Sequence, residues 1–180
     1  MKSDVVIIDN KGNGFKEAIE ATKKVAEFKC LDTKDSTQLQ LCTEELLSMA
    51  RSITGEIKAS FWVECEGSKF DLNMTTETVM DKEKRYLLIN SSSERKNEAA
   101  KTFLGMLRDA FEEAMLAEAD NSNYYELPDD VASDVTGRYI EDPEWDRYEH
   151  SILKKLADDI KISIKGGVVN MTVTKSFPNY

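Results

Sequence analysis

Two stretches of this chain alternate apolar and polar residues, and each is broken at its middle by glycine. In the first, Ile57, Ala59, Phe61, Val63 and Cys65 fall on one side of an extended chain, Phe70, Leu72, Met74 and Thr76 fall on one side of the next, and Gly67-Ser68 lies between them. In the second, Ile160, Ile162 and Ile164 are followed by Val169, Met171 and Val173 around Gly166-Gly167. Side chains point alternately to the two faces of a strand, so a period of two with one apolar face describes a sheet covered on one side only. Glycine supplies the positive φ angles of a tight turn. Both stretches are therefore predicted to be antiparallel hairpins, and helices must cover their apolar faces.

The rest of the chain supplies those helices. "DVVIID" at 4–9 reads as a first strand and "NKGNG" as a turn. Phe15, Ala18, Ile19, Thr22, Val25, Ala26 and Phe28 then form a helical stripe, which "LDTKDS" ends. A second stripe, Leu39, Cys42, Leu46, Met49, Ala50 and Ile53, predicts a helix from near Ser36 or Thr37 to Gly55. "RYLLIN" at 85–90 fits a short strand and the opening of a helix equally well. From Asn97 to about Ala119 the spacing predicts a long amphipathic helix with Phe103, Leu104, Leu107, Phe111, Ala114 and Met115 on one side.

Between Glu112 and Glu149 thirteen acids face only Arg138 and Arg147, an excess of eleven negative charges that accounts for the imbalance of the whole chain. Pro128 and Pro143 bound a loop-rich acidic insertion at about 119–143, with one short helix over "PDDVASDV". "EWDRYEHSILKKLADDI" returns to helical spacing through Trp145, Tyr148, Ile152, Leu153 and Leu156. The order predicts one domain over 1–180, an α+β two-layer sandwich with helices on one face of a mixed, mainly antiparallel sheet.

Charge and composition exclude several functions. A net charge of −10 repels phosphate backbones and anionic lipid heads, and no basic patch offsets it, so neither nucleic acid nor membrane is an expected partner. No apolar run approaches the roughly 18–20 residues that span a bilayer. The apolar stretch of "MKSDVVIIDN" is flanked by acids, unlike a secretory signal, and the expected location is the cytoplasm. Cys30, Cys42 and Cys65 are widely spaced, lack a CxxC pair and have only His150 as a possible imidazole partner, so they read as buried reduced thiols. No second residue joins His150 in a catalytic pair, and the acids at 126–146 lack the spacing of a calcium loop. Trp62 and Trp145 read as core and edge-of-core packing.

The C-terminal stretch "LKKLADDIKISIKGGVVNMTVTK" resembles the end of the GHKL (histidine-kinase-like) ATPase domain, and in particular the small bacterial anti-sigma-factor serine kinases. Leu156, Asp158, Gly166, Gly167, Val173 and Lys175 sit where that pattern has a helix end, an aspartate turn, a glycine hairpin and a last strand finishing in a basic residue. "TEELLSMA" at 43–50 occupies the slot of the family's Glu-xxx-Asn helix. The resemblance implies an ATP-binding sandwich whose relatives bind a sigma factor or an anti-sigma antagonist. It covers most of the chain in element order and only scattered residues in identity.

The activity that the resemblance implies rests on three nucleotide motifs. Glu44 stands for the family's glutamate, but Ser48 replaces the asparagine that ligates magnesium. Thr76 stands where the adenine-binding aspartate of a DxGxG motif belongs, and Thr78 replaces its glycine. No glycine lies between Gly137 and Gly166, where a phosphate-cradling lid would sit, and acids fill the region. Each lost charge-assisted contact is worth roughly 1.5–3 kcal/mol, so three losses remove several orders of magnitude of affinity. The expectation is a degenerate GHKL-like regulatory domain that binds another protein, with no cofactor. The long helix and the acidic insertion are its candidate partner surface, for a basic partner or for self-association as a homodimer. Two alternatives stay open. One is an active ATP- and magnesium-dependent serine/threonine kinase using Glu44 with Ser48; the other is an unrelated α+β small-ligand-binding protein.

Overall fold

The computed structural model describes residues 1–9, 11–55, 58–122 and 152–178. Strand β1 (Val6–Ile8) leads into helices α1 (Phe15–Phe28) and α2 (Thr33–Thr54), and the first hairpin follows as β2 (Ala59–Glu66) and β3 (Lys69–Glu77). Helices α3 (Lys82–Ser91) and α4 (Phe103–Ser122) come next, and the chain closes with β4 (Asp159–Lys165) and β5 (Val168–Ser176). The five strands lie in the order β1-β2-β3-β5-β4, so both ends of the sequence contribute to one sheet. Every strand pairing is antiparallel, where a mixed sheet was expected; the one parallel pairing among the described residues is an isolated bridge between Asn97 and Ile162.

Both hairpins follow the alternation. Ala59, Phe61, Val63, Cys65, Phe70, Leu72, Met74, Ile160, Ile162, Ile164, Val169, Met171 and Val173 are all buried in one core with the inner faces of α1 and α2. The opposite sheet face is polar and joined across strands. Thr75 donates to Asn170 (2.8 Å), Thr172 to Asn73 (2.9 Å) and Thr174 to Asp71 (2.6 Å), each between directly opposed residues of β3 and β5. Trp62 belongs to this face and not to the core. Its indole N–H donates to Glu64 (3.0 Å), and the Lys2 ammonium sits 4.6 Å from its ring centre.

Caps place the helix starts. Asp32 accepts from the Asp35 N–H (2.7 Å), which sets the α2 start at Thr33, ahead of the Ser36 or Thr37 that apolar spacing indicated. Asp81 does the same for α3 through Lys84 N–H (2.8 Å), and this cap turns "RYLLIN" into a helix. Gly14 opens α1 at φ 87°, against the Ile7 carbonyl, where a Cβ would collide with backbone. The predicted helix from Asn97 is delayed to Phe103; residues 98–100 form a single 3-10 turn, because Asn97 is recruited by the sheet.

Asp158 and Lys175, both singled out by the C-terminal pattern, meet as an ion pair of 3.0 Å, and Asp158 also accepts from the Ser176 N–H (2.7 Å). Just before them, residues 152–156 form a short helical segment that buries Leu153 in the core. Most of the acidic insertion at 119–143, the predicted helix over "PDDVASDV", His150 and Trp145 lie outside the described residues.

Candidate functional site

Of the positions expected to serve a nucleotide, Glu44 and Ser48 lie on α2, Thr76 near the end of β3 and Thr78 just past it. On α2 the buried residues Leu39, Thr43, Leu46, Ala50 and Ile53 define the inward stripe. At 100° per residue Glu44 and Ser48 fall on the opposite side, and Glu44 is exposed while Ser48 is half-buried. One step along, Glu45 and Met49 flank the inward stripe, and Met49 is buried. The glutamate nearer the buried face is therefore Glu45, half-buried at its margin, and the residue four further on is the buried Met49. The second of these is a thioether, too soft a donor for magnesium.

Thr76 is buried on the helix side of β3, and its hydroxyl donates to the Lys58 carbonyl at 3.3 Å. Thr78 lies just past the strand, where its N–H donates to the Gly167 carbonyl (2.9 Å); the Thr78 carbonyl in turn presses on Gly167, so that a Cβ there would stand 2.8 Å from it. Cavities lie at the α1 surface, between α3 and α4, and beside Met1 and Glu64, and none of these three is lined by Glu44, Ser48, Thr76 or Thr78.

Polar chemistry is concentrated instead where α3, α4 and the β4 edge meet. An edge strand leaves unpaired N–H and C=O groups that invite other strands. Here Asn97 closes that edge with its side-chain amide: Oδ1 accepts from Ile164 N–H (2.8 Å) and Nδ2 donates to Ile164 C=O (2.9 Å). Ser93 does likewise at Ile160, its Oγ accepting from the N–H (2.7 Å) and its own N–H donating to the C=O (2.8 Å). Asn97 Nδ2 also donates to Asp109 on α4, and Asp109 pairs with Arg85 on α3, a residue 4% exposed. Arg85 thus links α3 to α4 through one carboxylate. Its Nη1 is buried and has no hydrogen-bond partner among the described residues. It lines a cavity of about 690 Å³ with Tyr86, Ile89, Glu113 and Leu116.

This junction decides how α4 sits. Gly105 touches the 3-10 turn so closely that a Cβ would collide with the Ala99 carbonyl, and Asp109 follows one turn later. Gly105, Asp109, Glu112 and Leu116 thus make the inward edge of α4, a narrow and largely polar one. The apolar stripe points away. Leu104 is 75% exposed, Leu107 61%, Phe111 63% and Met115 55%. Amphipathic spacing predicts this stripe on a helix read as a candidate partner surface, and the structure turns it outward. Arg85, Asn97 and Asp109 were not singled out by the sequence, although an arginine opening the apolar run "RYLLIN" is the signal that marks one of them.

Two of the three cysteines are buried as expected, and Cys30 is exposed in a left-handed turn at φ 55°. Burial pushes the Cys42 thiol up to about 11, and burial raises Cys65 as well, so neither is a nucleophile near neutrality. Among the described residues no helix is long and apolar enough to cross a membrane. No family model matches the chain, and no curated protein or solved structure matches it either.

Proposed function

We propose that this chain is a degenerate GHKL-like regulatory domain that acts by binding another protein through α4, with ATP binding lost or weak. The observation that carries the reading is the inverted seating of α4, whose polar edge is held by Arg85, Asn97 and Gly105 while its apolar stripe faces out. Contiguous exposed apolar surface of this kind marks interaction sites. The outward direction of Glu44, the methionine at 49 and the tied hydroxyl of Thr76 argue against a working nucleotide site. The resemblance names the partner class, a sigma factor or an antagonist-like protein, and the acidic insertion suits a basic surface on it.

Two measurements test this. Magnesium-ATP at 100 times its dissociation constant stabilises a folded protein by about 2.7 kcal/mol, which in a domain of this size raises Tm by roughly 5–10 °C. No rise is expected at millimolar nucleotide, and a rise of that size refutes the loss of ATP binding. A partner recovered by the wild-type chain is expected to be lost with Leu107→Asp/Phe111→Asp as bait; equal recovery refutes docking through α4.

A further inference from the structure

We propose that the cavity between α3 and α4 binds a small uncharged ligand of the carboxamide class, its carbonyl oxygen accepting from Arg85 Nη1 and its apolar body lying between the two helices. Helical spacing builds the walls. Lys82, Arg85, Tyr86 and Ile89 recur at three- and four-residue steps along α3, and Asp109, Glu113, Leu116 and Ala117 do so along α4, so each set shares one helical face. The two faces meet where Arg85 pairs with Asp109, and all of these residues except Asp109 line the cavity. Its volume, about 690 Å³, falls within the range of small-molecule sites. This site does not depend on protein docking, because at 100° per residue the apolar stripe of α4 lies on the far side of the helix.

The site wants an acceptor and has no need of a countercharge. Arg85 is 4% exposed, and its Nη2 donates to Asp109, so the guanidinium charge is already matched. Nη1 is buried and has no hydrogen-bond partner among the described residues. Buried donors are as a rule bonded, so an orphan on a residue that lines a cavity marks the place of a missing acceptor. A ligand carboxylate would set a second anion beside that of Asp109 on a single cation. The rim opposes it too: Asp81, paired with Lys84 at 3.4 Å, and the exposed Glu83 and Glu113 outnumber Lys82. An uncharged carbonyl avoids both repulsions, and the N–H groups of a carboxamide are donors that suit an acidic rim. Tyr86, Ile89, Leu116 and Ala117 supply the apolar walls for its body.

NMR titration of the full chain, followed at backbone amides, tests this with phenylacetamide as the probe and phenylacetate as its charged counterpart. Phenylacetamide at millimolar concentration is expected to give saturable shifts centred on Tyr86, Ile89, Glu113 and Leu116, and phenylacetate to bind about tenfold more weakly. Arg85→Lys keeps a cation for Asp109 and removes Nη1, and it is expected to weaken phenylacetamide about tenfold. Ala117→Trp fills the cavity from α4 without touching the Arg85–Asp109 pair. It is expected to abolish saturation while the other resonances stay in place and show an intact fold.

A wild-type chain that gives no saturable shift with phenylacetamide overturns the proposal and leaves Nη1 to a water molecule. Shifts that survive Ala117→Trp in a folded chain overturn it by placing the probe elsewhere, and phenylacetate binding as tightly as phenylacetamide overturns the choice of an uncharged ligand. Should Arg85→Lys fail to fold, Ala117→Trp decides by itself.

Discussion

Replacing Asn97 with alanine removes the amide that closes the β4 edge, and the structure allows its cost to be worked out. Asn97 is 5% exposed, and its side chain bonds four groups: the N–H and C=O of Ile164, the N–H of Ala99 and the Asp109 carboxylate. A buried polar group left without a partner costs about 1–3 kcal/mol. Ala99 and Asp109 lie near solvent and recover water, so the unrecovered loss falls on the two Ile164 groups. The expected destabilisation is about 3 kcal/mol, a Tm drop of roughly 6–12 °C for a domain of this size. Urea unfolding followed by circular dichroism gives the free energy, and hydrogen exchange at the Ile164 amide reports the site. That amide should exchange at least tenfold faster in the variant. A loss below about 1 kcal/mol with Ile164 protection unchanged refutes the idea that one side chain substitutes for a neighbouring strand.

Gly105→Ala separates helix propensity from docking by the sign of its effect: an undocked α4 gains about 1 kcal/mol from alanine, whereas the collision with the Ala99 carbonyl should cost about 1–3 kcal/mol in a melt. Breaking the Arg85–Asp109 pair with Arg85→Met should cost about 2 kcal/mol, less than a fully buried pair because the Asp109 side chain is 20% exposed, and adding Asp109→Leu should recover most of it in a double-mutant cycle of urea midpoints. Thiol labelling of the native chain at pH 8 should modify Cys30 alone, all three cysteines reacting only in denaturant. The Cys42 thiol, pushed up to about 11, should stay protonated in the native state until the pH approaches that value, so rapid labelling of Cys42 at pH 8 would contradict its burial.

What local pattern carries, it carried well: the alternation in 59–76 and 160–173 placed the buried face of four strands, and the stripes of α1 and α2 placed their inward residues except Phe28, which ends α1 72% exposed, because a residue's face follows from counting along its own segment. Capping sharpened the ends through single aspartates at 32 and 81, and the second of these resolved a run that spacing left undecided between strand and helix. Site geometry was less legible. A Glu-xxx-X spacing can be shifted by one residue without disturbing the amphipathic pattern, so the sequence named Glu44 and Ser48, while tertiary packing buries Met49 and leaves Glu45 half-buried at the margin of that face. Asn97, Asp109 and Arg85 come from three separate segments and acquire their roles only when the β4 edge, α3 and α4 converge. The direction of α4 is the clearest case. Its apolar stripe is written in the sequence, but which side of a helix faces the body depends on what the body offers, and here a glycine contact and a half-buried carboxylate hold the polar edge inward.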